Sequence, residues 1–224
     1  NMKAMILAAG YGRRLMPITN KIPKPLLKVG DQTLIERNIN CLISSGFSEI
    51  IINVSHLSKL IINFVENTFP NQNILFSQED QPLGTGGGIL NALDLIGNET
   101  FLLTNSDIYH DINLKTLPKK TKVAHLVGVK NPEHNLNGDF SIENKNVFIK
   151  KNNNDLTWSG ISLVNPKIFR ENEFPSNSFN IWDQVLHQYI SRGLVTGQKS
   201  SEIWIDVGTP KRLNLVNSAY NSDQ

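Results

Sequence analysis

The segment MILAAGYGRRL at residues 5–15 combines an apolar run, small residues and two arginines. The apolar run comes first, and Gly10 and Gly12 then remove side-chain bulk next to Arg13 and Arg14. Residues without a bulky Cβ let a ligand approach backbone N–H groups, and clusters of such groups bind anions. The segment predicts a strand that ends in a polyphosphate-binding loop, although an ordinary turn with surface arginines would show the same pattern.

Several commoner motifs are excluded by spacing. The pair Gly10-x-Gly12 lacks the third glycine of the dinucleotide-binding fingerprint, and no GxxxxGK[ST] sequence is present, so neither a Rossmann dehydrogenase nor a P-loop NTPase is supported. The histidines show no HExxH spacing for zinc, and WSGIS at residues 158–162 is not the GxSxG of a serine hydrolase. Phosphate chemistry remains the best interpretation of the glycine-rich segment.

Lys24 stands between two prolines in the segment PKPLLKVG at residues 23–30. Proline fixes its own φ and favours extended geometry in the residue before it. We therefore expect a stiff, exposed arm without helical structure that directs the lysine ammonium at a ligand. A plain surface lysine in a loop is the alternative.

The stretch QEDQPLGTGGGIL at residues 78–90 is a second glycine-rich loop, and it leads into a helix. Gly84, Gly86, Gly87 and Gly88 would each destabilise a helix by about 1 kcal/mol relative to alanine. We therefore expect these glycines to allow the close approach of a ligand, with a flexible surface loop as the alternative.

Asp107 and Asp206 each follow a short apolar run, FLLT at residues 101–104 and IWI at residues 203–205. Open α/β sheets bind ligands at the carboxyl ends of their strands, so the two acids can converge although they are far apart in sequence. Hard oxygen ligands without Cys or His clusters suit Mg²⁺. We expect both carboxylates to hold one magnesium ion, with an Asx-turn as the alternative for Asp107.

Helical and extended patterns alternate in the first half of the chain. Thr33 and Glu36 have the spacing of a capping box, the apolar residues that follow have helical period, and EIIINV at residues 49–54 is typical of a buried parallel strand. A second helix, a strand at 74–76, a helix after the second glycine-rich loop and the strand at 101–104 continue the alternation. This order predicts an α/β fold.

Beyond residue 120 the alternation weakens. Short extended patterns follow one another there, and they predict strands at 123–129, 139–142, 147–150, 157–164, 194–196 and 203–205. A helix is predicted within residues 177–192, and a final helix begins after Thr209 with Pro210 at its first position. The second half is therefore predicted to be rich in β-structure.

Composition and charge are those of a globular protein. The chain has 224 residues, 39% hydrophobic and 19% charged, with a formal net charge of +2 and a single cysteine. No apolar run is long enough to span a bilayer, and the first residues do not show the basic and apolar pattern of an export signal. We expect one domain over residues 1–224, a cytoplasmic location, and neither nucleic acid nor membrane as a partner.

Five motifs, in this order and spacing, resemble those of the sugar-1-phosphate nucleotidylyltransferases. They are LAAGYGRRL at 7–15, PKPLLKVG at 23–30, PLGTGGGI at 82–89, TNSD at 104–107 and WIDVGTP at 204–210. The resemblance covers essentially the whole chain. It implies a Rossmann-like three-layer fold with a mixed, mainly parallel sheet, a nucleotide-binding half at about 1–120 and a β-rich, sugar-binding half at about 121–224.

Within that family, GGGI at 86–89, GDF at 138–140 and SGIS at 159–162 resemble the uridylyltransferases that act on N-acetylmuramate 1-phosphate in bacterial cell-wall recycling. The resemblance implies transfer of a nucleotidyl group from UTP to that sugar phosphate, with release of pyrophosphate and with Mg²⁺ as cofactor. The alternatives are a guanylyl- or cytidylyltransferase acting on mannose-, heptose- or choline-phosphate, and a non-catalytic nucleotide-sugar-binding protein. A monomer or a small homo-oligomer is expected.

The resemblance also implies roles for individual residues. Arg14 would contact the β- and γ-phosphates, Lys24 the α-phosphate, and Asp107 and Asp206 would bind the metal ion, so that these four residues carry the catalysis. The nucleotide would be bound by Leu7, Ala8, Ala9, Gly10, Gly12, Arg14, Lys24, Gln78, Gly84, Thr85 and Asn105.

The resemblance leaves two sets of residue contacts open. The spacing before LGTG leaves the contact to the base open among Gln78, Glu79 and Gln81. The FxEKP motif of many larger family members is replaced by KKNNND at residues 150–155, so sugar contacts cannot be transferred from it. The sugar is instead expected at Gly138, Asp139, Gly160 and Asp107.

Overall fold

Runs of β-branched and other apolar residues form the centre of a nine-stranded mixed sheet in the computed structural model, which describes residues 1–222. Ile51 and Ile52 of the run EIIINV are fully buried, as expected for a strand that is covered on both faces. Along the described chain the strands are β1 (Ala4–Leu7), β2 (Lys28–Val29), β3 (Gln32–Thr33), β4 (Glu49–Val54), β5 (Asn73–Gln78), β6 (Phe101–Asn105), β7 (Ile108–His110), β8 (Ala124–Lys130), β9 (Ser141–Glu143), β10 (Asn146–Phe148), β11 (Leu156–Val164), β12 (Val195–Lys199) and β13 (Trp204–Asp206).

The strand order of the large sheet is β5-β4-β1-β6-β11-β8-β12-β10-β9. Strands β5, β4, β1 and β6 run parallel to one another, whereas β11 is antiparallel to both β6 and β8. The chain leaves β1 toward β4 and later returns to its other side with β6. The strand order therefore reverses beside β1, and such a reversal opens a crevice at the carboxyl ends of the strands.

Helices cover both faces of the parallel part of the sheet. The helices are α1 (Leu34–Ser44), α2 (Ser58–Thr68), α3 (Gly84–Asn91), α4 (Leu93–Ile96), α5 (Lys167–Arg170), α6 (His187–Ser191) and α7 (Pro210–Ser222), and a π-helical turn at Trp182–Leu186 leads into α6. Apolar residues of α1 and α2 pack with Ile6 on one face, and those of α3, α4 and α6 pack with Met5 on the other. The predicted three-layer α/β architecture is confirmed.

The predicted cap of α1 is also present. The Thr33 hydroxyl oxygen accepts a hydrogen bond from the Glu36 backbone N–H at 3.1 Å, which satisfies one of the free donors at the helix start. Pro210 is the first residue of α7, where its missing N–H has no cost. Within residues 1–222, no helix is long and apolar enough to cross a membrane.

Three features differ from the sequence-based expectations. The segment after the first glycine-rich loop contains short 3-10 turns, and Lys24 lies in one of them, Lys24–Leu26, rather than on an extended arm. The second glycine-rich stretch is itself helical, because α3 begins at Gly84. A two-stranded ribbon of β7 and β13, which pairs Ile108 with Asp206, was not expected from the sequence.

The packing around α3 explains why a helix tolerates its glycines. A Cβ at Gly86 would collide with the ring of Phe179, and one at Gly87 with the carbonyl oxygen of Asn177. A Cβ at Gly88 would come within 2.6 Å of Asn53 Nδ2. At these three glycines the close approach is made by neighbouring segments of the protein, not by a ligand as expected.

Candidate functional site

A cavity of about 250 Å³ lies at the carboxyl ends of β1 and β6, where the strand order reverses. We call it the first cavity. It is lined by Leu7, Ala8, Ala9, Gly10, Gly12, Lys24, Pro25, Asn53, Glu79, Pro82, Gly84, Thr85, Asn105, Ser106 and Asp107. The structure thus brings together most of the residues that the sequence motifs predicted for nucleotide binding.

Three hydrogen bonds fix the floor of the first cavity. The Ala8 backbone N–H donates to Asn53 Oδ1 at 2.7 Å, and Asn53 Nδ2 donates to Glu79 Oε2 at 2.9 Å. The other Glu79 oxygen accepts from the Leu83 backbone N–H at 2.9 Å. Burial raises the pKa of Glu79, and these hydrogen bonds partly offset the shift. The network ties the ends of β1, β4 and β5 to the start of α3.

Two members of this network have only weak signals in the sequence. Asn53 was not predicted, although its position near the end of a buried strand resembles that of Asn105, and this shared position is the signal that could have found it. Glu79 was one of three candidates for the base contact, and it lines the first cavity, whereas Gln78 and Gln81 are exposed and do not line it. Adjacent residues of an extended chain point to opposite sides, so Glu79 faces the first cavity and Gln78 faces away from it.

Lys24 and Asp107 form an ion pair in the wall of the first cavity. The distance between Lys24 Nζ and Asp107 Oδ2 is 2.8 Å, and only 13% of the lysine side chain is exposed. The expectation of an exposed lysine arm was therefore wrong. The 3-10 turn that contains Lys24 packs against α1, which directs the ammonium inward.

Asp206 lies beside Asp107 because β13 pairs with β7. The Val207 backbone N–H donates to the Asp107 carbonyl oxygen at 2.8 Å, next to the Asp206–Ile108 pair of the ribbon. The expected convergence of Asp107 and Asp206 is thus present in the structure, and both acids line a common cavity.

Asp206 has an arginine and a histidine as neighbours, which the motifs did not predict. Arg212 Nε donates to the Asp206 carbonyl oxygen at 2.6 Å, and Arg212 Nη2 lies 3.5 Å from Asp206 Oδ1. His134 Nε2 is 3.7 Å from Asp206 Oδ2. The pKa of His134 is lowered by burial first and by the charge of Arg212 second, with Asp206 acting in the opposite direction.

Arg14 lies outside the lining of the first cavity. Its side chain reaches the start of α7, where a Cβ at Gly208 would lie 2.8 Å from Arg14 Nη2. The Arg14 guanidinium therefore lies toward Gly208 and Asp206, at the edge of the cavity.

A second cavity of about 330 Å³ adjoins the first cavity on the side of β11. It is lined by Asn105, Asp107, Ile108, His134, Asn135, Asp139, Thr157, Trp158, Ser159, Gly160, Trp204 and Asp206. Asn105 and Asp107 line both cavities, so the two cavities meet at the carboxyl end of β6.

The residues expected to bind sugar divide into two groups. Asp139 and Gly160 line the second cavity, whereas Gly138 does not. A Cβ at Gly138 would meet the carbonyl oxygen of Asn154, and its φ is +68°, so this glycine shapes the loop. Asp139 accepts from the Trp158 backbone N–H at 2.8 Å and from Asn135 Nδ2 at 3.1 Å. The Asp139 carboxylate therefore orders the cavity wall.

The two carboxylates fit a magnesium ion that is completed by water and phosphate oxygens. No group of three or more Asp, Glu, His or Cys residues with the arrangement of a metal site exists within residues 1–222. Asp206 Oδ1 is buried without a hydrogen-bond partner in that part of the chain, and both acids line the second cavity. Mg²⁺ is commonly held by one or two carboxylates plus substrate phosphates, which is the donor set available here.

Comparison with known proteins agrees with this geometry. Residues 3–131 match the sequence pattern of the nucleotidyl transferase family. The chain is 39% identical over 223 residues to the N-acetylmuramate alpha-1-phosphate uridylyltransferase of Neisseria meningitidis serogroup B, with 95% of each protein covered. It is 28% identical to the D-glycero-alpha-D-manno-heptose 1-phosphate guanylyltransferase of Campylobacter jejuni, covering 94% of this chain and 96% of that enzyme.

A solved structure shares the fold over nearly the whole chain. The crystal structure of HddC from Yersinia pseudotuberculosis superimposes with a TM-score of 0.81 at 25% sequence identity, over 98% of this chain and 100% of that one. The similarity therefore extends over both cavities and includes the second half of the chain, which the family pattern does not reach.

Proposed function

This chain belongs to the nucleotidyl transferase family, and we propose that it transfers a uridylyl group from UTP to N-acetylmuramate 1-phosphate and releases pyrophosphate. Activity as a sugar-1-phosphate nucleotidyltransferase is supported by both full-length relatives described above. The choice of UTP and N-acetylmuramate 1-phosphate rests on the more similar of these two relatives. Such a reaction would return N-acetylmuramate to the nucleotide-sugar pool for cell-wall recycling.

The observation that carries the proposal is the meeting of two cavities at Asn105 and Asp107. The first cavity has small residues and backbone N–H groups on one wall, which suit a nucleotide and its phosphates. The second cavity is lined by polar and aromatic residues, which suit a sugar. A nucleoside triphosphate in one cavity and a sugar phosphate in the other would bring their phosphates together beside Lys24 and Asp107.

The chemistry at this junction needs charge neutralisation more than proton transfer. A sugar-phosphate oxygen would attack the α-phosphorus in line and displace pyrophosphate, and this oxygen is already an anion. No general base is therefore required, and the role of the protein is to position the phosphates and to balance their charge.

Individual residues divide these tasks. Lys24 would place its ammonium on the α-phosphate, and Arg14 would neutralise the phosphates that leave as pyrophosphate. Asp107 and Asp206 are the residues that would hold the metal ion. When bound, Mg²⁺ supplies Lewis-acid stabilisation of the phosphate oxygens.

The division of the chain into a nucleotide-binding half and a sugar-binding half is also a proposal. All residues that line the first cavity precede residue 108, and most of those that line the second follow residue 130. Asn105 and Asp107 line both cavities. The division near residue 120 would therefore separate nucleotide binding from sugar binding, and residues of the first half would also contribute to the reacting centre.

A substrate panel tests the proposal. Purified protein with Mg²⁺ is incubated with UTP, GTP, CTP or ATP, each crossed with the 1-phosphates of N-acetylmuramate, N-acetylglucosamine, glucose and mannose, and pyrophosphate release is measured. The highest kcat/KM is expected for UTP with N-acetylmuramate 1-phosphate. A preference for GTP or CTP with another sugar would instead support the guanylyl- or cytidylyltransferase alternative.

The same assay separates an enzyme from a binding protein. Protein with Asp107→Asn serves as the control, because it keeps the shape of the site and loses a metal-ligand charge. A binding protein would bind the nucleotide or the nucleotide sugar without release of pyrophosphate from any pair in the panel. Divalent-ion dependence, measured by chelation with EDTA and restoration with Mg²⁺, tests the proposed cofactor.

A further inference from the structure

Three charged side chains share the space next to Gly208, at the start of α7. A Cβ at Gly208 would lie less than 3 Å from Nη2 of Arg14, Nη2 of Arg212 and Oδ1 of Asp206. A side chain at this position would displace the ends of these three groups. His134 belongs to the same cluster, since its Nε2 lies 3.7 Å from Asp206 Oδ2.

Arg212 is fixed in this cluster by its contacts with Asp206. Its Nε donates to the Asp206 carbonyl oxygen at 2.6 Å, and only 14% of its side chain is exposed. Arg212 Nη2 and Asp206 Oδ1 are 3.5 Å apart, and within residues 1–222 both atoms are buried without a hydrogen-bond partner. Buried polar atoms are nearly always hydrogen-bonded, so each atom is suited to a ligand: a cation for Oδ1 and an anion for Nη2.

Each carboxylate of the site is paired with a cationic side chain. Lys24 pairs with Asp107 at 2.8 Å, and Arg212 pairs with Asp206 at 3.5 Å. If a divalent ion takes the carboxylates, Lys24 and Arg212 lose their countercharges. Their positive charges then become available to the phosphate groups that arrive with the nucleotide.

We propose that Arg212 is an anion-binding residue that acts with Arg14: the Arg212 guanidinium that contacts Asp206 binds the pyrophosphate group once Asp206 binds the metal ion. The identity of the anion rests on the function proposed above. The competition between Arg212 and a divalent ion for Asp206 rests on the contacts alone.

The first test uses the reverse reaction, in which pyrophosphate and the nucleotide sugar are the substrates. Arg212→Ala should raise KM for pyrophosphate roughly tenfold or more, because a buried charge-assisted hydrogen bond is lost, while KM for the nucleotide sugar stays within about twofold. Arg212→Lys should give an intermediate KM, since it keeps the charge but loses the planar fork. An unchanged KM for pyrophosphate in both variants would overturn the anion-binding role.

Lys211→Ala is the matched control. It removes the same charge from the adjacent position of α7, where the side chain is exposed. Its KM for pyrophosphate should equal that of the unmodified protein. An equal rise in Lys211→Ala and Arg212→Ala would contradict the proposal, because it would show a general effect of charge on this helix.

The second test measures Mn²⁺ binding to the nucleotide-free protein by electron paramagnetic resonance. Arg212→Ala should bind Mn²⁺ several-fold more tightly, because the cation that competes for Asp206 is gone. Equal or weaker binding would overturn the competition. Thermal melting shows whether Arg212→Ala folds. If it does not, both measurements are made on Arg212→Lys. Its Mn²⁺ binding should then be unchanged or tighter, and weaker binding would count against the proposal.

The two tests also separate this inference from the proposed function. If the unmodified protein catalyses no reverse reaction with any nucleotide sugar, the proposed function fails and the pyrophosphate role fails with it. The Mn²⁺ comparison is independent of any substrate, so it still decides whether Arg212 competes for Asp206.

Discussion

The two cavities that meet at Asp107 are built by different parts of the sheet. The first cavity lies at the ends of parallel strands, and its residues come from contiguous motifs such as those around Ala8 and Gly84. The second cavity lies beside β11, whose register with β8 shifts between Trp158 and Ser162, and its other walls come from separate loops. Parallel strand ends bring short motifs together by a general rule, whereas an irregular antiparallel wall depends on individual contacts.

Asp107 belongs to both cavities, so its loss should have the largest effect. Asp107→Asn is expected to lower kcat/KM by about 4 kcal/mol or more, roughly a thousandfold, because a metal-ligand charge disappears at the reacting phosphate. Asp206→Asn should act similarly. Pyrophosphate release measures the effect, and thermal melting shows whether each variant stays folded, because Asp107→Asn leaves the largely buried Lys24 ammonium without its countercharge. Full activity in both variants would refute the two-acid site.

Lys24 lines only the first cavity, and its ammonium pairs with Asp107 at the junction of the two cavities. Lys24→Ala should lower kcat/KM by about 3 kcal/mol, as is typical for removal of one preorganised electrostatic donor. Lys24→Arg should restore little activity, because a planar guanidinium does not fit the place of a compact ammonium 2.8 Å from Asp107. Steady-state kinetics measure both variants. Near-normal kcat/KM in Lys24→Ala would leave Arg14 and the metal ion as the sources of charge.

The two glycine-rich segments should respond to alanine in opposite ways. Gly86→Ala forces a methyl group into the Phe179 ring, so we expect a loss of about 2 kcal/mol in the free energy of unfolding, as for overpacked cores. A Cβ at Gly10 meets no atom within 4 Å, so Gly10→Ala should keep its stability and raise KM for the nucleotide. Urea unfolding and kinetics of both proteins measure the contrast. Equal stability of the two variants would show that α3 can move away from Phe179.

Asp139 lines only the second cavity, and its substitution should have the smallest effect. Asp139→Asn keeps the shape but turns one acceptor into a donor that faces Asn135 Nδ2 or the Trp158 N–H. We expect KM for the sugar phosphate to rise about fivefold, which corresponds to roughly 1 kcal/mol, with KM for the nucleotide unchanged. A rise in KM for the nucleotide alone would reverse the assignment of the two cavities.

The order of elements and the core could be predicted from the sequence. The N-cap at Thr33 and the buried run at 49–54 have local patterns that are independent of the rest of the chain, and both appear in the structure as expected. The convergence of Asp107 and Asp206 was also predicted, because both follow apolar strands. The ribbon of β7 and β13 was not predicted, since Ile108–His110 is only three residues long and its partner is distant in sequence.

The direction in which a residue faces was harder to predict than the residues that belong to the site. The glycines of α3 were expected to face a ligand, but Gly86 and Gly87 face Phe179 and Asn177, because small residues are required equally by a ligand and by a neighbouring segment of protein. Arg212 was missed because it lies outside the residues that match a family motif. Its importance became visible only through its contacts with Asp206.

The sequence by itself determined the residue types of this site and the strands that carry them. Periodicity, caps and strand-end acids are local properties, and a parallel sheet aligns the ends of its strands wherever such patterns occur. Only the tertiary structure decided which charges pair. Lys24 and Asp107 are 83 residues apart, and the cluster at Gly208 joins Arg14 to the start of α7. Such pairings depend on distances of a few ångströms between remote segments, because Coulomb and hydrogen-bond energies act through space and no local pattern records them.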